Sequence, residues 1–318
     1  MNILEQAAAN KRASWVVISF VILLFLCIGF GFDYFYGSGM QFPVFTGVAF
    51  LFGVGSSYMS FAYGDKMILS STHAVPLDMN DPKQQQWHNI IEEMSIAAGI
   101  PVPKTYIIDD PDPNAFATGQ DPEHSSIAVT RGLLEALNRD ELQGVAAHEM
   151  SHIKNFDIRL MLILAVMVGA IALLADWAGR SLWFGRSRSS RRSEGSGPIA
   201  LIILAVWFIA IILAPILSQL MAMAVSRKRE SLADASGAAL TRNPLGLASA
   251  LEKINGYTSP TRSINQGTAH LCIADPKGSA VGMREDWMGN LFATHPPIEK
   301  RIRALKEMAY QFNASKGE

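Results

Sequence analysis

The sequence predicts an α-rich integral membrane protein with four transmembrane helices and polar segments that combine helices with a small β-sheet. Three observations lead to this prediction. Hydrophobic residues make up 49% of the 318 residues and charged residues 17%, which is apolar for a water-soluble chain. Four long apolar runs interrupt the chain. The polar stretches between them show both helical and strand-like patterns.

The first apolar run, Trp15–Phe32, carries no charge and approaches the roughly 20 residues that cross a hydrocarbon core. A cleavable signal peptide is the alternative interpretation. However, DYFYGSGMQF follows the run where a small-x-small cleavage site would be needed, so we expect an uncleaved anchor. The other runs are Phe42–Tyr63, Leu160–Ala175 and Ile199–Val225. The third is the shortest and a buried core helix is its alternative, but its pairing with the fourth favours a second membrane hairpin.

Lysine and arginine residues near the ends of the runs predict the orientation. If the four runs cross the membrane in alternating directions, one end of each run lies on the same side. The basic residues flank these ends, at Lys11, Arg12, Lys66, Lys154, Arg159, Arg227, Lys228 and Arg229. This side should be the cytoplasm, because basic residues are enriched in short cytoplasmic loops. The Arg/Ser-rich segment between runs three and four departs from the pattern, since four crossings place it outside. Either a short basic loop is tolerated there, or these two runs enter the bilayer without crossing it; we expect crossing.

The two hairpins divide the chain into four parts. These are the anchor and first hairpin (1–65), a first polar half (66–158), the second hairpin with its Arg/Ser-rich loop (159–225) and a second polar half (226–318). A hairpin returns the chain to the side that it left. Both polar halves should therefore lie on one face of the membrane, where they can form a single domain.

Local patterns predict the elements of the polar halves. A helix should run from Pro82 to a stop at Gly99, and KTYIIDD and SSIAVTR read as strands separated by the turn-rich PDPNAFATGQDPEHS. Asn138, with Glu141 three residues later, predicts a capped helix that runs through His152 and towards the third apolar run. Helices are also predicted in the second polar half at KRESLADASGAALT, LGLASALEKI and IEKRIRALKEMAYQF.

The capped helix carries the sequence HEMSH. His148 and His152 are four residues apart, so a helix places both imidazoles on one face, about one turn apart, as two ligands of one ion require. Glu149 points away from that face and could reach a metal-activated water without binding the metal. The alternative is a surface helix with ordinary histidines. The motif favours a zincin-like α+β catalytic domain on the cytosolic side.

A catalytic zinc ion needs a third protein ligand and an open position. The sequence RKRESLAD supplies a candidate in Glu230, with Asp234 four residues later on the same helical face. Asp234 could accept a hydrogen bond from the far nitrogen of a ligating imidazole. The alternative is that Glu230 only balances the neighbouring basic residues at a membrane surface.

Taken together, the motifs HEMSH, SRKRESLAD, NAFATG and THPPIEKRI, in this order and with two membrane hairpins, resemble the HtpX family of bacterial membrane zinc metalloproteases, relatives of the CAAX prenyl proteases. The resemblance implies one Zn²⁺ per chain on His148, His152 and Glu230, with Glu149 as general base and Asp234 in support. It also implies that His295 steadies the oxyanion with Arg301 as its partner in substrate positioning. An extended substrate should pair with a strand formed by Asn114, Ala115, Phe116 and Ala117.

The expected function is therefore ATP-independent hydrolysis of peptide bonds in exposed segments of damaged or misassembled membrane proteins. We expect a multi-pass protein of the bacterial inner membrane whose active site faces the cytoplasm and whose partners are the lipid bilayer and unfolded polypeptide. Nucleic acid is not expected, because the net charge is −1, and nucleotide is not expected, because no GxxxxGK[ST] motif occurs. The alternatives are a site-specific processing peptidase of the prenyl-protease kind and a non-catalytic membrane scaffold with a structural metal.

Overall fold

The computed structural model describes residues 3–36, 42–166, 227–257, 261, 263, 271–274 and 297–314. Two long helices open the chain, α1 (Ile3–Tyr36) and α2 (Val44–Ser71). Within the described part, these two helices have the length and apolar composition needed to cross a membrane, over Ala7–Cys27 and Val44–Ser71. They coincide with the first and second apolar runs. The third run beyond residue 166 and the whole fourth run lie outside the described residues.

The two helices form a hairpin whose connection is held by a carboxylate. Asp33, near the end of α1, accepts hydrogen bonds from the backbone N–H groups of Phe45 (3.1 Å) and Thr46 (2.8 Å) in the first turn of α2. These N–H groups have no partner within their own helix, so the carboxylate satisfies them. Along the hairpin, the rings of Phe25 and Phe52 meet edge to face at 5.2 Å. Many outward-facing apolar side chains of both helices are exposed, as expected for a surface that contacts lipid.

A four-stranded sheet follows the hairpin. Its strands are β1 (Val75–Pro76), β2 (Lys104–Ile108), β3 (Ala115–Gly119) and β4 (Ser125–Thr130), in the spatial order β1-β2-β4-β3. Strands β2 and β4 are parallel, and the other two pairings are antiparallel. The order makes β3 an edge strand of the sheet.

Helices pack around this sheet. They are α3 (Pro82–Ala98), α4 (Arg131–Ala136), α5 (Arg139–Lys154), α6 (157–166), α7 (Arg227–Thr241), α8 (Pro244–Asn255) and α9 (Ile298–Ala314). The predicted ends of α3 are confirmed: Asp81 caps its first turn, and Gly99 ends it with a φ of 69°. The predicted capping box of Asn138 and Glu141 at the start of α5 is also confirmed.

Helix α5 lies at the centre of the polar domain and packs against β3, α3, α7 and α8. Its apolar side chains are almost fully buried in the main core, which includes Leu142, Val145, Ala146, Met150 and Ile153. Gly144 allows α8 to approach closely, because a Cβ atom at this position would lie 2.6 Å from the backbone nitrogen of Leu247. A helix fixed on every side is a rigid support for functional side chains.

Two local predictions from residue patterns were wrong. Helix α5 does not continue directly towards the third apolar run. It ends at Lys154, and Asn155 and Phe156 form a turn, with Phe156 at a φ of 58°, before α6 begins. The segment read as turn-rich contains β3, whose small residues Ala115, Ala117 and Gly119 lack the β-branched pattern of a typical strand. The family resemblance, by contrast, had predicted a strand here.

Candidate metal centre

The two histidines of α5 face each other across a buried space. The Nε2 atoms of His148 and His152 lie 3.2 Å apart, and their rings are nearly perpendicular at 87°. Both residues are buried, with exposed fractions of 1% and 6%. One helical turn between them produces this convergence, as the four-residue spacing predicts.

Helix α7 brings Glu230 to the same space. Its carboxylate oxygens lie 3.8 Å from Nε2 of His148 and 3.5 Å from Nε2 of His152. The three candidate ligand atoms lie within 4.8 Å of one another. The structure therefore brings together the two imidazoles and the carboxylate that the sequence placed in one ligand set, although 78 positions separate Glu230 from His152 along the chain.

Each imidazole is held from behind by a carboxylate. Nδ1 of His148 lies 3.0 Å from Oδ1 of Asp234, and Nδ1 of His152 lies 3.0 Å from Oδ2 of Asp157. An N–H donated at Nδ1 leaves the lone pair of Nε2 facing the shared space, which is the tautomer that a metal ligand needs. The Asp234 contact is the one that the sequence led us to expect. Asp157 was not anticipated, although an acidic residue five positions after the second histidine is a signal that could have pointed to it.

Arg301 of α9 lies behind the site. Its guanidinium donates from Nε and Nη2 to the two oxygens of Asp234, at 2.9 and 2.7 Å, and from Nη1 to the carbonyl oxygen of Ile273 at 2.9 Å. The same Nη1 lies 3.5 Å from Oε2 of Glu230. The sequence-based expectation gave Arg301 a role in substrate positioning. In the structure its side chain is buried against the carboxylates, where it orients Asp234 and through it His148.

Glu149 is also buried, on a different face of α5 from the histidine pair. The backbone N–H of Ala117, in edge strand β3, donates a hydrogen bond to its carboxylate. Burial, with the nearby charge of Glu230, raises the pKa of Glu149 to about 8, against the opposing effects of His152 and the Ala117 N–H. Glu149 thus lies between the histidine pair and the edge of the sheet.

The carboxylates around the two histidines affect the pKa values of the imidazoles. Burial lowers the pKa of His148, with the Arg301 charge acting in the same direction. Burial would also lower the pKa of His152, but the carboxylates of Asp157, Glu230 and Glu149 outweigh it and raise that pKa to about 9. Several carboxylates surrounding two imidazoles in a buried space are the charge distribution that a bound cation neutralises.

The donor set fits a divalent metal ion. Two nitrogen atoms that share a tetrahedral zinc-like ion, with bonds of about 2.0–2.1 Å, are separated by about 3.3 Å. The observed Nε2–Nε2 separation of 3.2 Å agrees with this value. Two imidazoles and one carboxylate are three protein ligands, the number found in catalytic sites that keep a position open for water or substrate.

The strand predicted to bind substrate forms part of the wall of the site. Ala115, Phe116 and Ala117 belong to β3, and Asn114 precedes them with its side-chain amide donating to Thr261 and to the carbonyl oxygen of Ala274, both at 3.3 Å. The outer edge of β3 is partly occupied, because the N–H of Ile273 donates to the carbonyl oxygen of Ala115 at 3.0 Å. A neighbouring bridge joins Phe116 and Cys272. The chain's own residues 271–274 therefore take the place of an extended peptide along the first part of the strand. His295 lies outside the described residues.

Comparison with known proteins agrees with this chemistry. Residues 81–309 match the model of peptidase family M48. The chain is 45% identical over 306 residues to a protein named Protease HtpX homolog from Caldanaerobacter subterraneus subsp. tengcongensis, covering 96% of this chain and 97% of that one. The homologue from Limosilactobacillus fermentum is 39% identical over 307 residues, with coverages of 96% and 99%.

A solved structure shares the fold. The crystal structure of S. mikatae Ste24p superimposes with a TM-score of 0.50 at 21% sequence identity, covering 95% of this chain and 66% of that chain. The family match and the relatives' names imply a metal cofactor, and His148, His152 and Glu230 form a cluster that could hold it. The chain therefore belongs to peptidase family M48 and, within it, to the HtpX proteases, and it is a membrane metalloprotease.

Proposed function

We propose that this protease is a zinc endopeptidase of the bacterial cytoplasmic membrane that cuts exposed, flexible segments of membrane proteins on the cytoplasmic side, without ATP. One observation carries the proposal. His148, His152 and Glu230 converge beside the buried carboxylate of Glu149, and this group, which could hold a metal ion, lies in the same chain as two helices long and apolar enough to cross a membrane.

Zinc is the proposed metal, one ion per chain. Two imidazole nitrogens with one carboxylate oxygen form a ligand set common to zinc peptidases, whereas calcium and magnesium prefer oxygen ligands. When bound, zinc supplies Lewis acidity, which lowers the pKa of a water molecule towards about 7 and polarises a peptide carbonyl.

The chain's own residues supply the remaining chemistry. Glu149 accepts the proton of the attacking water and passes it to the leaving amine, since its carboxylate lies next to the ligand pair without belonging to it. Asp157, Asp234 and Arg301 hold the imidazoles in the orientation that the reaction needs. The role of His295 as a donor to the oxyanion rests on the family resemblance, and His295→Phe should lower kcat with little change in KM.

Substrate binding is proposed at the outer edge of β3. The N–H of Ala117 and the carbonyl oxygen of Ala115 point to this edge, as their contacts with Glu149 and Ile273 show. An extended peptide that pairs there lies beside Glu149, and pairing through backbone groups accepts many sequences. Binding along Ala115 and Phe116 requires residues 271–274 to move away. Only a flexible substrate segment can adopt the extended form.

The membrane topology is proposed from the positions of the basic residues. Lys11 lies against Phe156, just after α5, and Arg159 lies against Trp15, so the basic ends of α1 and α6 meet next to the metal-binding helix. The positive-inside rule then places the site in the cytoplasm. We propose that the chain crosses the membrane four times, in the hairpins 1–65 and 159–225. The polar halves 66–158 and 226–318 then lie on one side and form one domain.

A reconstituted substrate tests this function. Wild type and Glu149→Gln are placed in inverted membrane vesicles with a single-span protein whose cytoplasmic tail is unstructured, and with a matched protein whose tail is folded. Wild type should cut the unstructured tail without ATP, spare the folded tail, and lose activity on chelation. Equal cleavage by Glu149→Gln with metal bound would contradict the role of Glu149 as general base. Absence of cleavage by metal-loaded wild type would support the scaffold alternative. Cleavage confined to a prenylated C-terminal peptide would support the processing alternative.

A further inference from the structure

The first membrane helix reaches the metal centre through one buried amide. Asn10, in α1, has an exposed fraction of 2%. Its Nδ2 donates to Oδ1 of Asp157 at 2.6 Å and to the carbonyl oxygen of Asn155 at 2.8 Å. A buried amide with these contacts, at the start of an apolar helix, joins two parts of the chain that are almost 150 positions apart.

Asp157 connects this amide to a metal ligand. One of its oxygens, Oδ1, accepts from Asn10, and the other, Oδ2, lies 3.0 Å from Nδ1 of His152. A carboxylate with one oxygen fixed by an outside donor has less freedom to rotate. Asn10 therefore fixes the orientation of the Asp157 carboxylate, and the carboxylate in turn orients the imidazole of His152.

The same amide contacts the residue next to the third ligand. The Oδ1 atom of Asn10 accepts a hydrogen bond from Nη1 of Arg229 at 3.0 Å, and Arg229 immediately precedes Glu230 in α7. An amide can donate to a carboxylate and accept from a guanidinium at the same time, which neither an aspartate nor an apolar side chain can do. Asn10 thus contacts the turn that follows α5, which carries the two histidines, and a residue of α7, which carries Glu230.

The surrounding contacts fix α1 in place. The ammonium group of Lys11 lies 3.9 Å from the ring centre of Phe156, and the guanidinium of Arg159 lies 5.4 Å from the ring centre of Trp15. Further along, apolar residues of α1 pack against α6 in a separate small core formed by Val17, Ile18, Val21, Leu160, Ile163 and Leu164. The turn that carries Asp157 is held by the first membrane helix on several sides.

We propose that Asn10 is a positioning residue of the metal centre, through which docking of the first membrane helix sets the orientation of His152 and the affinity for the metal. The inference rests on the ligand assignment of the proposed function. It predicts that the metal site is complete only when α1 is docked on the turn after α5. The helix is then a structural part of the active site as well as an anchor.

Full-length variants test the proposal with two readouts that do not depend on proteolysis. Zinc affinity is measured by competition with a chromophoric chelator, and the visible spectrum of the Co²⁺-loaded protein reports the geometry at the ligands. Asn10→Ala should bind zinc about 10-fold more weakly, at the lower end of the effect of losing an outer hydrogen-bond partner. Its Co²⁺ bands should change. Ser14→Ala is the control, because this buried hydroxyl, one turn later in α1, donates to the carbonyl oxygen of Asn10.

A swap of donor and acceptor separates positioning from folding. Asn10→Asp places two carboxylates where the 2.6 Å hydrogen bond was, and should weaken zinc binding more than Asn10→Ala does. Adding Asp157→Asn recreates one donor and one acceptor, and should restore affinity and the Co²⁺ spectrum towards those of the wild type. If the double variant folds or binds zinc no better than Asn10→Asp alone, the proposal is overturned. Equal zinc affinities of Asn10→Ala and the control Ser14→Ala would also overturn it. Absence of zinc binding by wild type would instead overturn the ligand assignment itself.

Discussion

The Nδ1 atom of His152 lies 3.0 Å from Oδ2 of Asp157, which begins the helix that follows the turn after α5. The metal-binding helix is thereby tied to the next segment of the chain by its second histidine. His148 is tied in the same way to Asp234 of α7, also at 3.0 Å. Each imidazole thus has a carboxylate behind it from a different element, and the pair is oriented before any ion binds.

Replacing Asp157 should therefore weaken the metal site. Asp157→Ala removes the acceptor at Nδ1 of His152, so the ring can rotate and its Nε2 becomes a weaker base. We expect zinc affinity to fall roughly 10- to 100-fold. Chelator competition measures this change. Asp109→Ala is the matched control, because its carboxylate is exposed and, among the residues that the structure describes, pairs with the exposed Arg131 at 3.0 Å. Equal affinities of the two variants would contradict the role given to Asp157.

Arg301 should matter most when the metal is absent. Its guanidinium compensates the buried carboxylate of Asp234 through two hydrogen bonds and lies 3.5 Å from Glu230. Arg301→Met leaves these charges without that cation, and loss of one partner of a buried ion pair costs about 3–5 kcal/mol. Bound zinc offsets part of this cost by neutralising Glu230.

Thermal unfolding in detergent, with chelator and with zinc, measures the difference. Arg301→Met should lower the midpoint strongly in chelator and less in zinc. Arg303→Met, an exposed position on the same helix, should leave the midpoint nearly unchanged. A midpoint lowered equally in both conditions would show that Arg301 has no electrostatic connection to the metal ligands.

Gly237 determines how closely α7 approaches the metal-binding helix. A Cβ atom at this position would lie 3.1 Å from the backbone nitrogen of His148, which is tighter than ordinary contact. Gly237→Val should push α7 outwards, move Glu230 away from the imidazoles and lower zinc affinity several-fold, with a loss of stability of about 1–3 kcal/mol. Gly55→Ala, where an added Cβ meets nothing within 4 Å, is the control for a glycine substitution in a helix. Unchanged zinc affinity in Gly237→Val would show that the spacing of the helices is not critical.

The cap of α5 should make stability depend on pH. Burial alone would raise the pKa of Glu141, but the Lys253 ammonium at 2.7 Å, the Ser249 hydroxyl and the N–H of Asn138 outweigh it and lower that pKa below its usual value. A carboxyl group with a lowered pKa stabilises the folded state above its unfolded pKa of about 4.3, and this contribution is lost as pH falls through the lowered value.

Lys253→Met should therefore reduce stability near neutral pH and make the loss on acidification shallower. The unfolding midpoint, followed from about pH 6 to about pH 3, measures both effects. Lys306→Met, which removes the exposed pair with Glu252 but leaves the contacts of Glu141 in place, is the control. Parallel curves for wild type and Lys253→Met would contradict the account of the cap.

Local signals in the sequence were sufficient for part of this molecule. The four-residue spacing of His148 and His152 needs only the period of a helix, and Asn138 with Glu141 needs only the chemistry of a cap. Glu230 could be chosen because a third ligand was required and few acidic residues had a suitable setting. The strand β3 was found through the family motif alone, because Ala115, Ala117 and Gly119 do not favour a strand.

Other features could not be read from the sequence, because they depend on how distant segments pack. Nothing local to Asn10 indicates that its amide meets Asp157, and nothing near Arg301 indicates that its guanidinium donates to Asp234. The turn at Asn155 and Phe156 was also missed. It has no glycine or proline, and Phe156 adopts a positive φ that is rare for an aromatic residue.

The central claim is that two imidazoles of α5 and the carboxylate of α7 bind one metal ion beside a separate catalytic carboxylate. Zinc titration of metal-free wild type, Glu149→Gln and Glu230→Gln in detergent, with casein cleavage measured on the same samples, tests it most directly. We predict one tightly bound zinc in wild type and in Glu149→Gln, cleavage by wild type alone, and much weaker binding by Glu230→Gln. A Glu230→Gln protein that binds one zinc as tightly as wild type would contradict the ligand set, and a Glu149→Gln protein that still cleaves casein would contradict the catalytic role.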